Sequence, residues 1–252
     1  MKEKILLIAG CSHAAGSEID GSEDSEYNRH HCFGSELASK LGRKPINMSI
    51  AGNTNSGIAR SILKWFSANY NPKKIDVIVL VAWTDSTRME APVTELCNPP
   101  QPCYANWLDI TCSNFFRSTM GYEGDKNKPG EVERIKSIQR FIAENEQMVE
   151  IMSINYVLQI QYFLQSIKVN YLMCNTMPIF MDHTKHLGYY LNLIDATKYY
   201  GIYNSEEAFF PKYRKEGYVN PKAKYWHHDE IPHQLFAEEL YNFIQENKNV
   251  HS

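Results

Sequence analysis

The chain has 252 residues, 43% of them apolar and 22% charged, with a formal net charge of -3. That is an ordinary globular composition, in a chain long enough for one large α/β core. With neither a basic surplus nor a basic stripe, nucleic acid is not expected as a partner, and a neutral or weakly charged small substrate fits better.

The six cysteines form no C-x-x-C pair, so zinc-ribbon and thioredoxin spacings are absent. Cys11 and Cys174 lie in apolar runs and are read as small hydrophobes. Cys97 and Cys103 flank a Pro-rich turn, and reduced thiols are expected there. Ile5 to Ala9 is too short for the apolar region of a signal peptide, and no stretch approaches a membrane span. No membrane partner is expected, and the expected compartment is the cytoplasm.

Ile5 to Ala9 is a continuous apolar run ending at Gly10, the pattern of a strand buried on both faces of a parallel sheet. Phe33, Leu37, Ala38 and Leu41 share a helical face that Gly42 terminates. Ile46–Ile50 reads as a second strand, and Ser56–Phe66 as a helix with Ile58, Ile62, Leu63 and Phe66 on its stripe. Asp76–Trp83 is the strongest strand signal in the chain. This alternation is the rhythm of a doubly wound parallel sheet, and it predicts a three-layer α/β/α sandwich.

Residues 86–130 lack a sustained period and read as an irregular insertion or lid. Glu131–Ser166 is helical in pattern throughout, as one long or one broken helix. Val169–Asn175 is a fourth strand, and residues 178–225 have room for a short fifth. Asp229 is the expected N-cap of a final helix carrying Leu235, Phe236, Leu240, Phe243 and Ile244 on its apolar face. With no repeats and no low-complexity linker, residues 1–252 are read as a single domain.

Ligands of open parallel sheets sit beyond the carboxyl ends of the strands. There the chain carries Gly10-Cys11-Ser12-His13-Ala14-Ala15-Gly16, a serine bracketed by glycines. Such a segment suits a sharp turn exposing a hydroxyl, or equally a plain strand-to-helix turn whose serine caps the backbone. Near the C-terminus stands His227-His228-Asp229-Glu230-Ile231-Pro232-His233. His227, His228 and His233 with Asp229 are also a candidate metal set, since Asp229 and His233 share a helical face. No second ligand cluster supports that reading, and no metal or cofactor is expected. Arg88 and Glu90 read equally as a structural ion pair or as substrate contacts. The 16 tyrosines are read as packing, with sugar stacking as the alternative.

These segments resemble the conserved blocks of SGNH (GDSL-type) hydrolases. Gly10-Cys11-Ser12-x-x-x-Gly16 is similar to block I, with Cys11 in place of the usual Asp, as in phage and bacterial members. Asn47 to Asn55, with Gly52, resembles block II, and Ala82-Trp83-Thr84-Asp85 stands at block III with Thr84 in place of Asn. His227 falls at the catalytic histidine, with His228 in place of the usual proline. Lys224 stands where the family carries its acid. The resemblance implies a serine esterase acting on a small acyl ester, including O-acetyl groups on carbohydrate, without a cofactor. It assigns Ser12 as nucleophile and His227 as base, with His228, Asp229, His233 and Arg88 as alternates. The oxyanion donors would be the N–H groups of Ser12 and Gly52 with Thr84 or Asn55, and Asn53 nearby. The acid is either missing, leaving a dyad, or supplied by Asp182 or Asp229. The alternative function is a binding or virion structural protein that keeps the fold with a weakened site, in which case the protein would be virion-associated.

Overall fold

The computed structural model describes residues 2–92, 107–111, 133, 136–137, 140–142, 144–179 and 184–247. Its strands are β1 (Glu3–Ala9), β2 (Lys44–Asn47), β3 (Ile75–Trp83), β4 (Arg88–Pro92), β5 (Trp107–Thr111) and β6 (Asn170–Asn175). Four of them form a parallel sheet in the order β2-β1-β3-β6. The helices are α1 (Ser12–Ala15), α2 (Glu26–His31), α3 (Phe33–Lys40), α4 (Asn55–Asn69), α5 (Glu146–Ser166), α6 (Thr184–Leu191), α7 (Phe209–Lys215) and α8 (Glu230–Glu246).

Side chains alternate across a strand, so the apolar runs of β1 and β3 divide between two cores. Ile5, Leu7, Val77, Val79, Val81 and Trp83 pack with Ile58, Ile62 and Phe66 of α4 and Ile154, Val157 and Leu164 of α5. Leu6, Ile8, Ile78, Leu80 and Ala82 pack with Phe33 and Leu37 of α3, Phe209 and Tyr213 of α7, and Phe236, Leu240 and Ile244 of α8. Each buried Leu, Ile, Val or Phe contributes roughly 1.5–3 kcal/mol of transfer free energy. A sheet apolar on both faces is stable only with a helical layer on each side, and this requirement produces the three layers.

The second strand runs from Lys44 to Asn47, earlier than the Ile46–Ile50 expectation. At its end Asn47 Oδ1 accepts from the N–H of Ser49 at 3.0 Å, and the N–H groups of Met48 and Ile50 donate to Ile8 O and Gly10 O at 2.8 and 3.2 Å. Within the 86–130 insertion, β4 and β5 form an antiparallel pair, which the sequence pattern did not announce. Residues 93–106 and 112–130 of that insertion, including Cys97, Cys103 and Cys112, lie outside the described residues. In the long helical stretch, Asn145 has non-helical backbone angles, and α5 starts after it. Among the described residues of 178–225 there is no fifth core strand, only an isolated bridge between Met173 and Tyr199. Asp229 precedes α8 as expected, but its side chain makes no capping bond. Among the described residues, no helix is long and apolar enough to cross a membrane.

Candidate functional site

Ser12 opens α1, directly beyond the carboxyl end of β1. The turn that places it depends on two glycines. A Cβ on Gly10 would lie 2.5 Å from Ala14 Cβ and 3.0 Å from Ala82 O. Gly16 closes α1 at φ +77°, where a Cβ would lie 2.4 Å from Asn28 O. With these positions empty of side chains, Ser12 sits 6% exposed at the sheet edge. Neither its hydroxyl nor its N–H has a hydrogen-bond partner among the described residues.

The second side of the site comes from the segment before α8. His227 Nδ1 lies 2.7 Å from Glu18 Oε2. An ionised carboxylate can only accept, so the proton sits on Nδ1 and Nε2 is left with its lone pair. Glu18 is 2% exposed. Its Oε1 accepts from the N–H of Lys224 at 2.8 Å, and Oε2 accepts from the N–H of Tyr225 at 2.9 Å. Its own backbone is left-handed, at φ +65°, and Trp226, just before the histidine, is at φ +70°. Such conformations cost on the order of 1–2 kcal/mol for a residue with a Cβ, so the surrounding bonds must hold them. Asn220 is one such bond, donating its Nδ2 to Glu18 O at 2.6 Å. The carboxylate therefore comes from the loop after the serine, not from Asp229 or the Lys224 position. Asp182 lies outside the described residues. The sequence signal that was available is an acidic loop, residues 18–24, facing a block whose usual acid is a lysine.

Next to His227 stands His13, a residue the sequence reading gave no role. Its ring centroid is 4.8 Å from that of His227 and 5.0 Å from that of Phe210. Burial, and then the neighbouring imidazoles and Arg88, hold His13 well below the usual histidine value. For His227, burial again lowers the pKa and Arg88 adds to it, while Glu18 opposes both. Both rings are thus neutral near pH 7, the state a base requires.

The other predicted residues divide clearly. His228 points away, its Nε2 3.1 Å from Phe210 O, and is 1% exposed. His233 Nδ1 accepts from the N–H of Phe33 at 3.2 Å, so it satisfies the start of α3 and packs between Phe33 and Phe209. The three C-terminal histidines consequently face different partners. Among the described residues no group of three His, Cys, Asp or Glu side chains is arranged to hold a metal ion. Asp229 Oδ1 is buried without a partner among the described residues.

Gly52, at φ +77°, lies in the loop after β2, and its N–H has no partner among the described residues. Asn53 ties this loop to the serine turn, its Nδ2 donating to Gly10 O at 3.2 Å. Asn55 is occupied: its Oδ1 accepts from Thr84 N–H at 2.9 Å and its Nδ2 donates to Thr84 O at 3.0 Å. That double bond of amide to backbone fixes the end of β3 against the start of α4. Thr84 is fully buried, and its Oγ1 has no partner among the described residues. Arg88 opens β4, with its Nε and Nη1 atoms buried and unpartnered among the described residues. The side chain of Glu90 lies outside the described residues.

No protein-family model and no curated protein matches the chain. Solved structures do. A carbohydrate esterase family 2 enzyme with a carbohydrate-binding domain, from Corynascus thermopiles (Myceliophthora fergusii), matches at TM-score 0.51 and 12% identity, over 99% of this chain and 67% of that one. The psychrotrophic esterase EstA from Pseudoalteromonas sp. matches at TM-score 0.46 and 12% identity, over 97% and 98% of the two chains. A G-D-S-L family protein of Desulfitobacterium hafniense DCB-2 matches at TM-score 0.35 and 11% identity, over 95% and 98%. The chain spans about two thirds of the length of several carbohydrate esterases it matches. At such identities the likeness is one of architecture, an α/β fold like that of the carbohydrate esterase matched at TM-score 0.51.

Proposed function

We propose that this protein is a serine-dependent carboxylic ester hydrolase in which Ser12, His227 and Glu18 act together. A serine hydroxyl is a weak nucleophile until a base removes its proton. His227 carries its proton on Nδ1 and keeps Nε2 free, the tautomer that base needs. Ser12 Oγ attacks the ester carbonyl carbon while Nε2 takes the hydroxyl proton. The tetrahedral intermediate collapses, the ester C–O bond breaks, and the imidazolium returns its proton to the departing alcohol. Water then repeats the sequence on the acyl-serine, releasing the acid and restoring Ser12. The N–H groups of Ser12 and Gly52 and the Thr84 hydroxyl are the proposed oxyanion donors, with Asn55 holding Thr84 in place. His228 and His233 take structural roles.

The observation that carries this reading is the 2.7 Å bond from His227 to a buried carboxylate, itself fixed by two backbone N–H groups. A carboxylate in that position orients the ring and stabilises the imidazolium that forms. The carbohydrate esterase matched in fold makes O-acetyl groups on sugars the first substrates to try. The test is hydrolysis of a chromogenic acetyl ester by the protein and by Ser12→Ala. Activity that disappears in the variant supports the reading. Equal inertness of both proteins across several acyl lengths ends it.

A further inference from the structure

A cavity of about 350 Å³ lies between α4, α5 and the start of β4, and Asn55, whose amide holds the Thr84 backbone, is among its lining residues. Its size is within the range of small-molecule sites. Ser56, Ser86, Ser153 and Gln159 supply polar lining, and Leu63 and Tyr156 supply apolar surface. Arg60 and Arg88 line the same cavity. The Nε and Nη1 atoms of Arg88 are out of contact with solvent and have no partner among the described residues. Guanidinium is never neutral in a protein, and buried N–H groups of a cation left without an acceptor are unfavourable. The acid nearest along α5, Glu150, is buried and is not part of the lining.

We infer that this cavity receives a carboxylate group of the substrate, paired to the Arg88 guanidinium, and that the natural esters are acylated acidic sugars or similar carboxylate-bearing alcohols. A carboxylate matches the planar fork of Arg in a bidentate pair, while the hydroxyl and amide lining suits ring hydroxyls. This reading departs from the neutral or weakly charged substrate expected from net charge, because a local cation is invisible in a whole-chain sum. Asn55 lines this cavity and holds Thr84, so the anion site adjoins one of the proposed oxyanion donors, and the Arg88 charge also lowers the pKa of His13 and His227. The inference rests on the esterase reading for what the bound group does, but not for whether it binds.

The experiment is calorimetric titration of Ser12→Ala protein with sodium glucuronate, sodium galacturonate and glucose, repeated with Arg88→Met and Arg88→Lys added. The uronates are expected to bind at least about tenfold more tightly than glucose. Arg88→Met should abolish that difference and Arg88→Lys should keep part of it, since Lys retains the charge without the fork. Binding no tighter for uronates than for glucose overturns the inference, as does a preference that survives Arg88→Met. Wild-type protein is then assayed on O-acetyl glucuronate and O-acetyl glucose, with the preference expected in KM. Uronate binding without any ester hydrolysis would sink the esterase reading alone. Hydrolysis of neutral esters without uronate binding would sink the carboxylate site alone.

Discussion

Glu18→Gln is the most informative single perturbation. The wild-type carboxylate accepts from three donors at its two oxygens, Lys224 N–H at 2.8 Å, Tyr225 N–H at 2.9 and 3.1 Å, and His227 Nδ1–H at 2.7 Å. A glutamine has one acceptor oxygen and one donor nitrogen. If its oxygen stays with the backbone N–H groups, its NH2 faces His227 Nδ1 and drives the proton to Nε2, where it blocks attack. If its oxygen turns to His227, the NH2 meets a backbone N–H, and a buried donor loses its partner at a cost of about 1–3 kcal/mol. The first arrangement is the wrong-tautomer state that in serine proteases lowers kcat by about 10⁴. That factor corresponds to about 5.5 kcal/mol of lost transition-state stabilisation. The assay is kcat/KM on a chromogenic acetyl ester, with Ser12→Ala as the floor and near-UV circular dichroism to confirm folding. A folded Glu18→Gln protein within threefold of wild type would refute the triad and leave Ser12 and His227 acting as a dyad.

Because burial and Arg88 hold His227 below 6.5, kcat/KM should reach its plateau at a lower pH than an unperturbed histidine would allow; Arg88→Met should move that acid limb upward as the repulsion is removed, read from the pH–rate profile. His13, His228 and His233 are also neutral in the fold, with lowered values caused first by burial. The unfolded chain then binds more protons below about pH 6.5, so thermal stability should be complete above that pH and fall as the pH drops through 6 toward 5, tracked by melting temperature. His233→Phe removes the acceptor for Phe33 N–H and should lower stability by about 1–3 kcal/mol in denaturant titration. Gly10→Ala forces a methyl against Ala14 and Ala82; a cost of about 1–3 kcal/mol and a loss of esterase activity larger than any loss of folded protein are expected, by melting curves and rate assays together.

The sheet was readable because burial on both faces leaves uninterrupted apolar runs, as in Ile5–Ala9 and Asp76–Trp83. The bounds of the second strand were not, since it closes at Asn47 while Met48 and Ile50 still donate to Ile8 O and Gly10 O. The serine turn could be read from Gly10 and Gly16, whose positions tolerate no side chain. Which C-terminal histidine pairs with a carboxylate could not, because His227, His228 and His233 differ only in their tertiary partners. The carboxylate was missed for a similar reason. Glu18 lies 209 residues from its histidine, in a loop with no periodicity, and only the folded chain brings the two together. Thr84 shows the limit of a motif comparison, since its buried hydroxyl and its backbone clasp by Asn55 depend on how α4 meets β3.

That a carboxylate six positions after the serine can orient an imidazole at the far end of the chain has a consequence for how such proteins are found. Pattern searches that demand an aspartate three places ahead of the terminal histidine would discard this chain as a degenerate relic. A filter allowing an upstream acid between two tight turns, with a basic residue left at the vacated place, would retain it. It would also pick out other lineages in which the charge has migrated while the ring kept its support.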